Sequence, residues 1–527
     1  MLIYLGNAVS GFTIPGPPSS SPYPFIPPPP QGRRMRRVAA VVTLFTYLAG
    51  IYASPAIQQE RRDANSTSTC QQIEDAISSA SALWWPLSVN YIKDVYHWAS
   101  SSADVAACSV EPGSAEDVGK ILQILAANKT PFAIKGGGHS SNPGYSSTTG
   151  VQIAMYRFSG VKYDATSQTA EIGAGLIWDD VYAALEPLGV NVVGGRVTGV
   201  GVAGFTLGGG YSWLTNQYGL TVDNVVGYEL VLPSGDVTQV TQASNPDLFF
   251  ALKGGYNNFG IVTKFIMKAY PQGQVWGGLI TILGDHLDEV GNATIKFANE
   301  VSDPKAAILP TYNFVVGAAG MSLLLFYDGP TPPAGIFDDF LAIPHFTKDI
   351  STRSFTSLVH AAPANATSLT RGIFNTVPVL EYTPTILDAV VNETKFWGPR
   401  LSLASAAFVS FDVEPFLNNI FTHADASSAA YPPSRARGLM PTNIYFAWLL
   451  GISDDIMHDA ARQSAAHLTQ VAINEGQDVA NAPMYGNYAI YDTPLERIFG
   501  DNLPKLKAVK AQVDPNNVMA LAGGWKV

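Results

Sequence analysis

The hydrophobic pattern of the first half of the chain predicts short strands separated by glycine-rich turns. Apolar runs of strand length occur at 131–134, 151–155, 170–172 and 225–232. A capping-box-like sequence at 114–117 predicts an amphipathic helix through Ala127. Residues 178–188 predict a second helix. This half is therefore expected to be an α/β mixture.

After Pro271 the pattern changes to longer stretches that alternate or run apolar. Strands are predicted at 276–283, 312–316, 321–327 and 445–450. Helices are predicted between them at 286–301, 336–341 and 454–475. This order predicts one antiparallel sheet with helices on a face, so the fold class expected for the chain is α+β. A chain of 527 residues is too long for one ordinary domain, and two are expected.

The N-terminal segment has the features of a secretory signal. Residues 1–34 are rich in Pro, Ser and Gly, and a basic run at 33–37 precedes an apolar run at 38–52 and small residues at 53–56. The apolar run is shorter than the roughly 20 residues that a membrane-spanning helix needs. We expect a secreted protein with no stable membrane insertion, and favour a translation start at Met35. The alternative is that residues 1–34 are a disordered extension.

Charge and cysteine content narrow the class of protein. The formal net charge of −11 argues against nucleic-acid binding, which needs a basic surface. Cys70 and Cys108 are the two cysteines, and in a secreted chain they are expected to form a disulfide, the alternative being two buried thiols. Glycosylation motifs, which agree with secretion, occur at Asn65, Asn128, Asn292, Asn365 and Asn392.

The most informative local feature is a histidine inside a run of glycines, Lys135-Gly136-Gly137-Gly138-His139-Ser140-Ser141, directly after a predicted strand. Glycines let backbone N–H groups approach an anion closely, so the loop is suited to cradling a pyrophosphate. The histidine would then lie beside the bound group. The alternative is a glycine-rich turn with an incidental histidine.

Two further segments change the balance between these alternatives. Residues 194–211 read GGRVTGVGVAGFTLGGGY, and residues 246–263 read PDLFFALKGGYNNFGIVT. In this order, the three segments resemble the FAD domain of the berberine-bridge-enzyme-like oxidoreductases of the vanillyl-alcohol-oxidase (p-cresol-methylhydroxylase) superfamily. The resemblance is strong over roughly 101–270, and residues 503–517 resemble the family's closing motif.

The resemblance implies a domain organisation. Residues 1–56 would be the extension and signal peptide, and 57–273 the FAD-binding domain of two α/β subdomains, with its core at about 101–273. Residues 274–495 would form the substrate-binding domain. Residues 496–527 would return to pack on the FAD domain.

The resemblance also implies FAD as the cofactor, bound covalently through His139. Many family members make a second bond through a cysteine, but Val197 stands at that position, so a single covalent link is expected. The residues assigned to cofactor binding are His139, Gly136, Gly137, Gly138, Ser140, Ser141, Gly199, Val200, Gly201, Gly204, Gly260, Val262 and Asn502.

Two tyrosines are the candidate catalytic residues. Tyr488 is the last residue of a Tyr485-Gly486-Asn487-Tyr488 segment that resembles the family motif whose final tyrosine is often the base. Tyr211 follows the triple glycine and corresponds to a tyrosine that lines the same pocket. A phenol has an ordinary pKa near 10, so a base needs a neighbour that lowers it, and the sequence identifies none.

Other enzyme classes are disfavoured by the motifs. Gly199-Val200-Gly201-Val202-Ala203-Gly204 matches the dinucleotide-binding fingerprint, but the glycines at 208–210 would break the helix that such a loop must open. The eight histidines and two cysteines show no metal-ligand spacing, and no nucleophile elbow is present. No metal is expected.

These observations predict a secreted FAD-linked oxidase that removes a hydride from an alcohol or amine carbon of a small substrate. Dioxygen is the expected electron acceptor, giving H2O2, because Val200 occupies the position that controls oxygen access in the family. Secondary-metabolite oxidation is the favoured role. A carbohydrate oxidase and a flavin-binding protein without turnover are the alternatives. A monomer is expected.

Overall fold

The computed structural model describes residues 64–425 and 427–527. The predicted signal peptide and the candidate start at Met35 lie outside these residues. The first sheet has four strands, in the order β1-β2-β4-β3, with β1 antiparallel and the other three parallel. These strands are β1 (Ala82–Trp84), β2 (Cys108–Glu111), β3 (Phe132–Lys135) and β4 (Val151–Ala154).

Three helices accompany the first sheet: α1 (Ala64–Ala76), α2 (Val89–Val95) and α3 (Ala115–Asn128). The predicted capping of α3 is confirmed, because the Ser114 side chain accepts a hydrogen bond from the backbone N–H of Asp117. The predicted disulfide is also confirmed, since Cys70 of α1 is bonded to Cys108 of β2. The disulfide therefore ties the first described helix to the parallel sheet.

The second sheet is antiparallel, with the order β5-β6-β10-β8-β9 and with β7 paired to the far end of β10. Its strands are β5 (Val161–Asp164), β6 (Thr169–Gly173), β7 (Val190–Val192), β8 (Val225–Val231), β9 (Val237–Val240) and β10 (Ile261–Pro271). Its helices are α4 (Trp178–Leu185), α5 (Val202–Leu207), α6 (Thr215–Tyr218) and α7 (Pro246–Leu252).

The third sheet has seven antiparallel strands in the order β14-β11-β13-β12-β16-β17-β15. They are β11 (Val275–Leu283), β12 (Ala306–Val315), β13 (Ala318–Tyr327), β14 (Thr347–Arg353), β15 (Arg371–Val379), β16 (Ala406–Asp412) and β17 (Met440–Trp448). The helices of this region are α8 (Leu287–Glu300), α9 (Asp338–Ala342), α10 (Phe355–Val359), α11 (Pro384–Ser402) and α12 (Asp454–Asn474).

Helices α11 and α12 pack on β12, β15, β16 and β17. The α+β class and the helix-covered antiparallel sheet agree with the sequence prediction. The sequence did not predict β14, β15, β16 or α11. Helix α11 contains Pro399 next to Gly398, two residues that normally mark the end of a helix.

The C-terminal segment returns to the first sheet. After α13 (Leu495–Phe499) and α14 (Leu503–Val513), Ala522 pairs in parallel with Phe132 of β3. The Trp525 indole N–H donates to the carbonyl of Gly486 at 3.1 Å. Across the described residues, no helix has both the length and the apolar character needed to span a membrane.

Candidate active site

A cavity of about 650 Å³ lies between the glycine-rich loops and the inner face of the third sheet. Most of the residues predicted from sequence line it together, although they come from distant parts of the chain. The lining members of the predicted set are Gly136, Gly137, Gly138, His139, Ser140, Ser141, Val200, Gly201, Gly204, Tyr211, Gly260, Val262 and Tyr488.

Two of the predicted residues, Gly199 and Asn502, do not line the cavity. The Gly199 N–H donates to the Asp179 carboxylate at 2.9 Å, so it fixes the loop rather than facing the interior. The Asn502 side chain donates to the carbonyl of Ala430 at 3.0 Å. Their assignment to cofactor binding stays a prediction.

The two glycine-rich loops cross with their backbones in contact. A Cβ added at Gly137 would lie 2.6 Å from the Cα of Gly201, and one added at Gly201 would lie 2.5 Å from the nitrogen of Gly137. No real Cβ tolerates such distances, so both positions need glycine. Gly138 also has a positive φ of 69°, which glycine adopts without strain. The crossing presents a wall of bare backbone to the cavity.

The dinucleotide-fingerprint alternative does not fit the fold. Helix α5 does begin directly after Gly201, but it ends at Leu207, before Gly208-Gly209-Gly210. The strands before and after this loop, β7 and β8, belong to an antiparallel sheet, whereas the fingerprint requires a parallel βαβ unit.

His139 is half-buried, and its fully buried Nε2 atom has no hydrogen-bond partner within the described part of the chain. Its ring stacks on the indole of Trp98, with the ring centroids 4.3 Å apart and the planes 15° from parallel. Burial lowers the pKa of His139 to about 4, from an ordinary value of 6.5. The imidazole is therefore neutral at physiological pH, with an unused nitrogen.

Three polar side chains that line the cavity form a closed hydrogen-bonded group. The Arg196 guanidinium donates to Glu414 Oε2 at 2.7 Å and to the Tyr488 hydroxyl at 3.0 Å. The Tyr488 hydroxyl donates to Glu414 Oε1 at 3.0 Å. A hydroxyl offers one donor and two acceptor positions, so Tyr488 keeps one acceptor position for a further donor.

The acidities within this group differ from those of free side chains. Burial raises the pKa of Glu414 to about 7, against the opposing effect of Arg196. Burial and then the charge of Glu414 raise the pKa of Tyr488 well above its ordinary value of 10. The positive charge of Arg196 lowers the pKa of Tyr488, as a phenol base requires, but the negative charge of Glu414 raises it by more. Tyr488 is therefore suited to relaying a proton to Glu414 rather than to storing a negative charge.

Tyr211 lines the cavity with its ring, but its hydroxyl is engaged elsewhere. The hydroxyl lies 3.1 Å from that of Tyr431 and donates to the carbonyl of Leu439 at 3.3 Å. Its ring meets the ring of Tyr485 edge to face, with centroids 4.9 Å apart. Burial raises the pKa of Tyr211 far above its ordinary value. The structure places Tyr211 in the wall of the cavity, and its role as a base stays a prediction.

Val197 and Val200 both face the cavity from a loop that is tied to α4. Asp179 accepts hydrogen bonds from the Thr198 hydroxyl at 2.6 Å and from the Gly199 N–H. The Val200 carbonyl accepts from the backbone N–H of Trp178 at 3.0 Å. These bonds hold both valine side chains toward the interior.

The inner face of the third sheet supplies the remaining wall. One register row across four adjacent strands is polar: Ser322 of β13, Thr311 of β12, Asp412 of β16 and Asn443 of β17. Phe374, Tyr445 and Phe408 form an aromatic wall beside this row. The cavity is otherwise lined mainly by apolar side chains and glycine backbone.

Sequence reasoning missed Trp98, Asp412 and Glu414, and it gave Arg196 no role. A signal for the two acids exists, because Ser410, Asp412 and Glu414 alternate with the apolar Val409, Phe411 and Val413. Such alternation places the polar residues on one face of a strand. Trp98 carries no comparable pattern.

The residues present fit FAD. His139, whose ring is neutral, lines the cavity, and the glycine loops provide backbone that a flat, anionic ligand can approach. Comparisons with known proteins agree. The family model described as FAD binding domain matches residues 106–241, and the one described as berberine and berberine like matches residues 484–522.

Curated relatives include the FAD-dependent monooxygenase drtC of Aspergillus calidoustus, which is 31% identical over 443 residues, covering 80% of this chain and 83% of that protein. An uncharacterized FAD-linked oxidoreductase of Arthroderma benhamiae is 39% identical over 257 residues, or 48% of this chain. That match spans about half of the relative, 51% of its length.

Solved structures share the fold. The carbohydrate oxidase from Microdochium nivale, determined in complex with a substrate analogue, superposes with a TM-score of 0.70. The match covers 86% of this chain and 99% of that one, at 19% sequence identity.

Proposed function

The chain belongs to the berberine-bridge-enzyme-like FAD-linked oxidoreductases, and from that premise we propose that it is an oxidase of small, largely apolar organic molecules. Its substrate loses a hydride from an alcohol or amine carbon, and a proton from the attached oxygen or nitrogen. The observation that carries this proposal is the Arg196–Tyr488–Glu414 group, which faces the same cavity as His139.

His139 is the residue that would hold FAD covalently, since it lines the cavity and its ring is neutral. The glycines of the crossing loops would contact the cofactor through backbone alone. Val197 cannot form a thioether, so a single link follows. Bound FAD would supply the hydride acceptor and pass the electrons to dioxygen, giving hydrogen peroxide.

Tyr488 would receive the substrate proton. Its hydroxyl has an acceptor position left, and its own hydrogen already points to Glu414 Oε1. As the substrate proton arrives, the phenolic proton moves to Glu414, so the phenol never carries a full negative charge. A carboxyl with a pKa of about 7 is well matched to that task near neutral pH.

Arg196 would orient both partners. It donates to Glu414 and to Tyr488 through the same Nη2 atom, which fixes the distance between carboxylate and phenol. Its positive charge also offsets part of the energetic penalty of burying the Glu414 carboxylate.

The apolar and aromatic lining favours a secondary metabolite over a sugar, because a sugar presents hydroxyls on every side that this cavity leaves unpaired. Carbohydrate oxidation is therefore the second candidate. We also propose that the protein is secreted, that it is glycosylated at the five motifs, and that it is a monomer.

Acid precipitation tests the cofactor part of the proposal. The yellow colour is expected to remain with the pellet, and a peptide containing His139 to carry one FAD mass. No flavin is expected on Cys70 or Cys108, which should appear as a linked peptide pair. Complete release of flavin into the supernatant contradicts the covalent link, and a colourless protein contradicts every flavin-based role.

Turnover with dioxygen tests the reaction. Stoichiometric H2O2 and no incorporation of labelled oxygen into the product are expected of an oxidase. Labelled oxygen in the product would instead indicate a monooxygenase.

A further inference from the structure

The polar row on the third sheet contains a carboxylate that the proton path does not use. Asp412 accepts a hydrogen bond from the side-chain N–H of Asn443 at 2.8 Å, and the Thr311 side chain is a second hydrogen-bonding partner. Arg196, the guanidinium whose charge acts on Asp412, is already bound to Glu414. A carboxylate offers about four acceptor positions, so Asp412, which lines the cavity, keeps acceptor positions for a further donor.

The neighbouring Asn443 has one polar atom without a partner. Asn443 is only 4% exposed and lines the cavity, and its amide oxygen is buried without a hydrogen-bond partner among the described residues. An unpaired buried acceptor is costly, roughly 1–3 kcal/mol. Asp412 therefore has acceptor positions left at the cavity wall, next to an amide oxygen without a partner, and a donor of the molecule that enters the cavity can occupy one of them.

The spacing of Asp412 and Glu414 along the strand gives the distance between the second polar site and the proton path. Val413 donates its backbone N–H to the carbonyl of Pro310 at 2.9 Å, so strand pairing continues past Asp412. Asp412 and Glu414 therefore project to the same face, two residues apart. Along an extended strand that separation is about 6.6 Å between Cα atoms.

We propose that Asp412, with Asn443, is a specificity-determining site that binds a second hydrogen-bond donor of the substrate, a hydroxyl or an ammonium group, about 5–7 Å from the oxidised position. The substrate class is a ring compound with one reacting alcohol or amine and a second donor in a 1,3-like relation to it. The aromatic wall of Phe374, Tyr445 and Phe408 would contact the ring itself. This inference rests on the proposed function, because it takes Tyr488 and Glu414 as the reacting end.

Binding titrations followed by the flavin absorption spectrum test the proposal without requiring turnover. The probes are 1,3-benzenedimethanol, 3-(aminomethyl)benzyl alcohol and 3-methylbenzyl alcohol, which present a hydroxyl, an ammonium or a methyl at the second position. The wild type is expected to bind at least one donor probe about ten- to a hundredfold more tightly than the methyl probe. Equal dissociation constants for all three overturn the proposal.

Two substitutions at one position separate the two kinds of donor. Asp412→Leu should abolish the preference for either donor. Asp412→Asn keeps an acceptor but loses the charge, so it should retain a preference for the hydroxyl and lose one for the ammonium. Ser322→Ala, in the same row two strands away, is the matched control and should leave the preference intact. A preference that survives Asp412→Leu, or that is lost in Ser322→Ala, overturns the assignment.

Covalent flavin content of each variant reports folding, so a misfolded variant is recognised before it is titrated. Failure of the proposed oxidase activity is distinguishable, because it would leave donor-dependent binding intact while the probes fail to reduce the flavin.

Discussion

The indole of Trp98 lies parallel to the imidazole of His139, with the ring centroids 4.3 Å apart. The same residue also holds the loop through its backbone, since the Trp98 N–H donates to the carbonyl of Gly138 at 3.0 Å. Trp98 therefore fixes both the position of the glycine loop and the plane of the ring that it presents to the cavity.

Trp98 is predicted to be a positioning residue for flavin attachment. Trp98→Ala removes the stacking surface but not the backbone hydrogen bond, so the fraction of flavin bound covalently should fall while FAD binding persists. Trp98→Phe restores a flat ring and should recover most of the linkage. The measurement is the ratio of pellet to supernatant flavin after acid precipitation. Full linkage in Trp98→Ala would show that the stack is unnecessary.

Tyr488→Phe is predicted to slow flavin reduction by substrate about 10²–10⁴-fold under anaerobic conditions. The substitution removes the hydroxyl that links the substrate to Glu414 but keeps the ring, so flavin content should not change. Tyr211→Phe is the matched control, because its hydroxyl contacts Tyr431 and Leu439 instead. Similar losses in both variants would move the proton path away from Tyr488.

The pH dependence should follow Glu414. Because the pKa of this acid is raised to about 7, the carboxyl is protonated below that pH and cannot receive a proton. The rate of flavin reduction should therefore fall about tenfold per pH unit below 7, and Glu414→Gln should remove this limb along with most of the activity. The folded state also holds this proton more tightly than the unfolded state does, so this group's contribution to stability decreases as pH rises through 7. A pH-independent wild-type rate between 5 and 8 contradicts the relay.

Val200→Leu is predicted to slow reoxidation of pre-reduced enzyme by dioxygen, with little change in the rate of reduction. Leucine is longer by one methylene and points into the same cavity, because the hydrogen bonds to Asp179 and Trp178 fix the loop. Stopped-flow mixing with aerated buffer measures the effect. Val200→Ala serves as the opposite control and should reoxidise at least as fast as the wild type.

Gly137→Ala should destabilise the protein and reduce its flavin content, because the new methyl group would lie 2.6 Å from the backbone of Gly201. Overpacking of this kind typically costs about 1–3 kcal/mol of unfolding free energy. Gly160→Ala is the matched control, since nothing lies within 4 Å of a Cβ at Gly160. Melting temperatures with and without denaturant should separate the two variants, and equal values would refute the close crossing of the loops.

The parts that could be predicted from sequence are those encoded locally. The glycines at 136–138, and those within 199–204, indicate a backbone that makes close approaches, independently of the rest of the fold. The helix cap at Ser114 depends only on residues within one turn. The relay could not be predicted in the same way. Arg196 and Tyr488 are 292 residues apart in sequence, and Glu414 lies 74 residues before Tyr488. Their acidities depend on joint burial, which only the packed fold determines.

The missed strands have a related explanation. Strand β12 was predicted as 312–316 but runs from Ala306 to Val315. Its first half is buried on both sides and contains Pro310, so it shows neither alternation nor an uninterrupted apolar run. The sequence pattern predicts no strand at β16, so it does not identify Asp412 as a site residue.

The order of the three sheets along the chain has a consequence for protein synthesis. Each sheet is built from one unbroken stretch, so each can pair its strands as it leaves the ribosome, in the order of the sequence. The pairing of Ala522 with Phe132 is an exception, because Phe132 is synthesised early and Ala522 much later. The part of the cavity wall that Trp525 supplies is therefore in place only after that residue has been synthesised, so a ligand can reach the other walls before this one is complete.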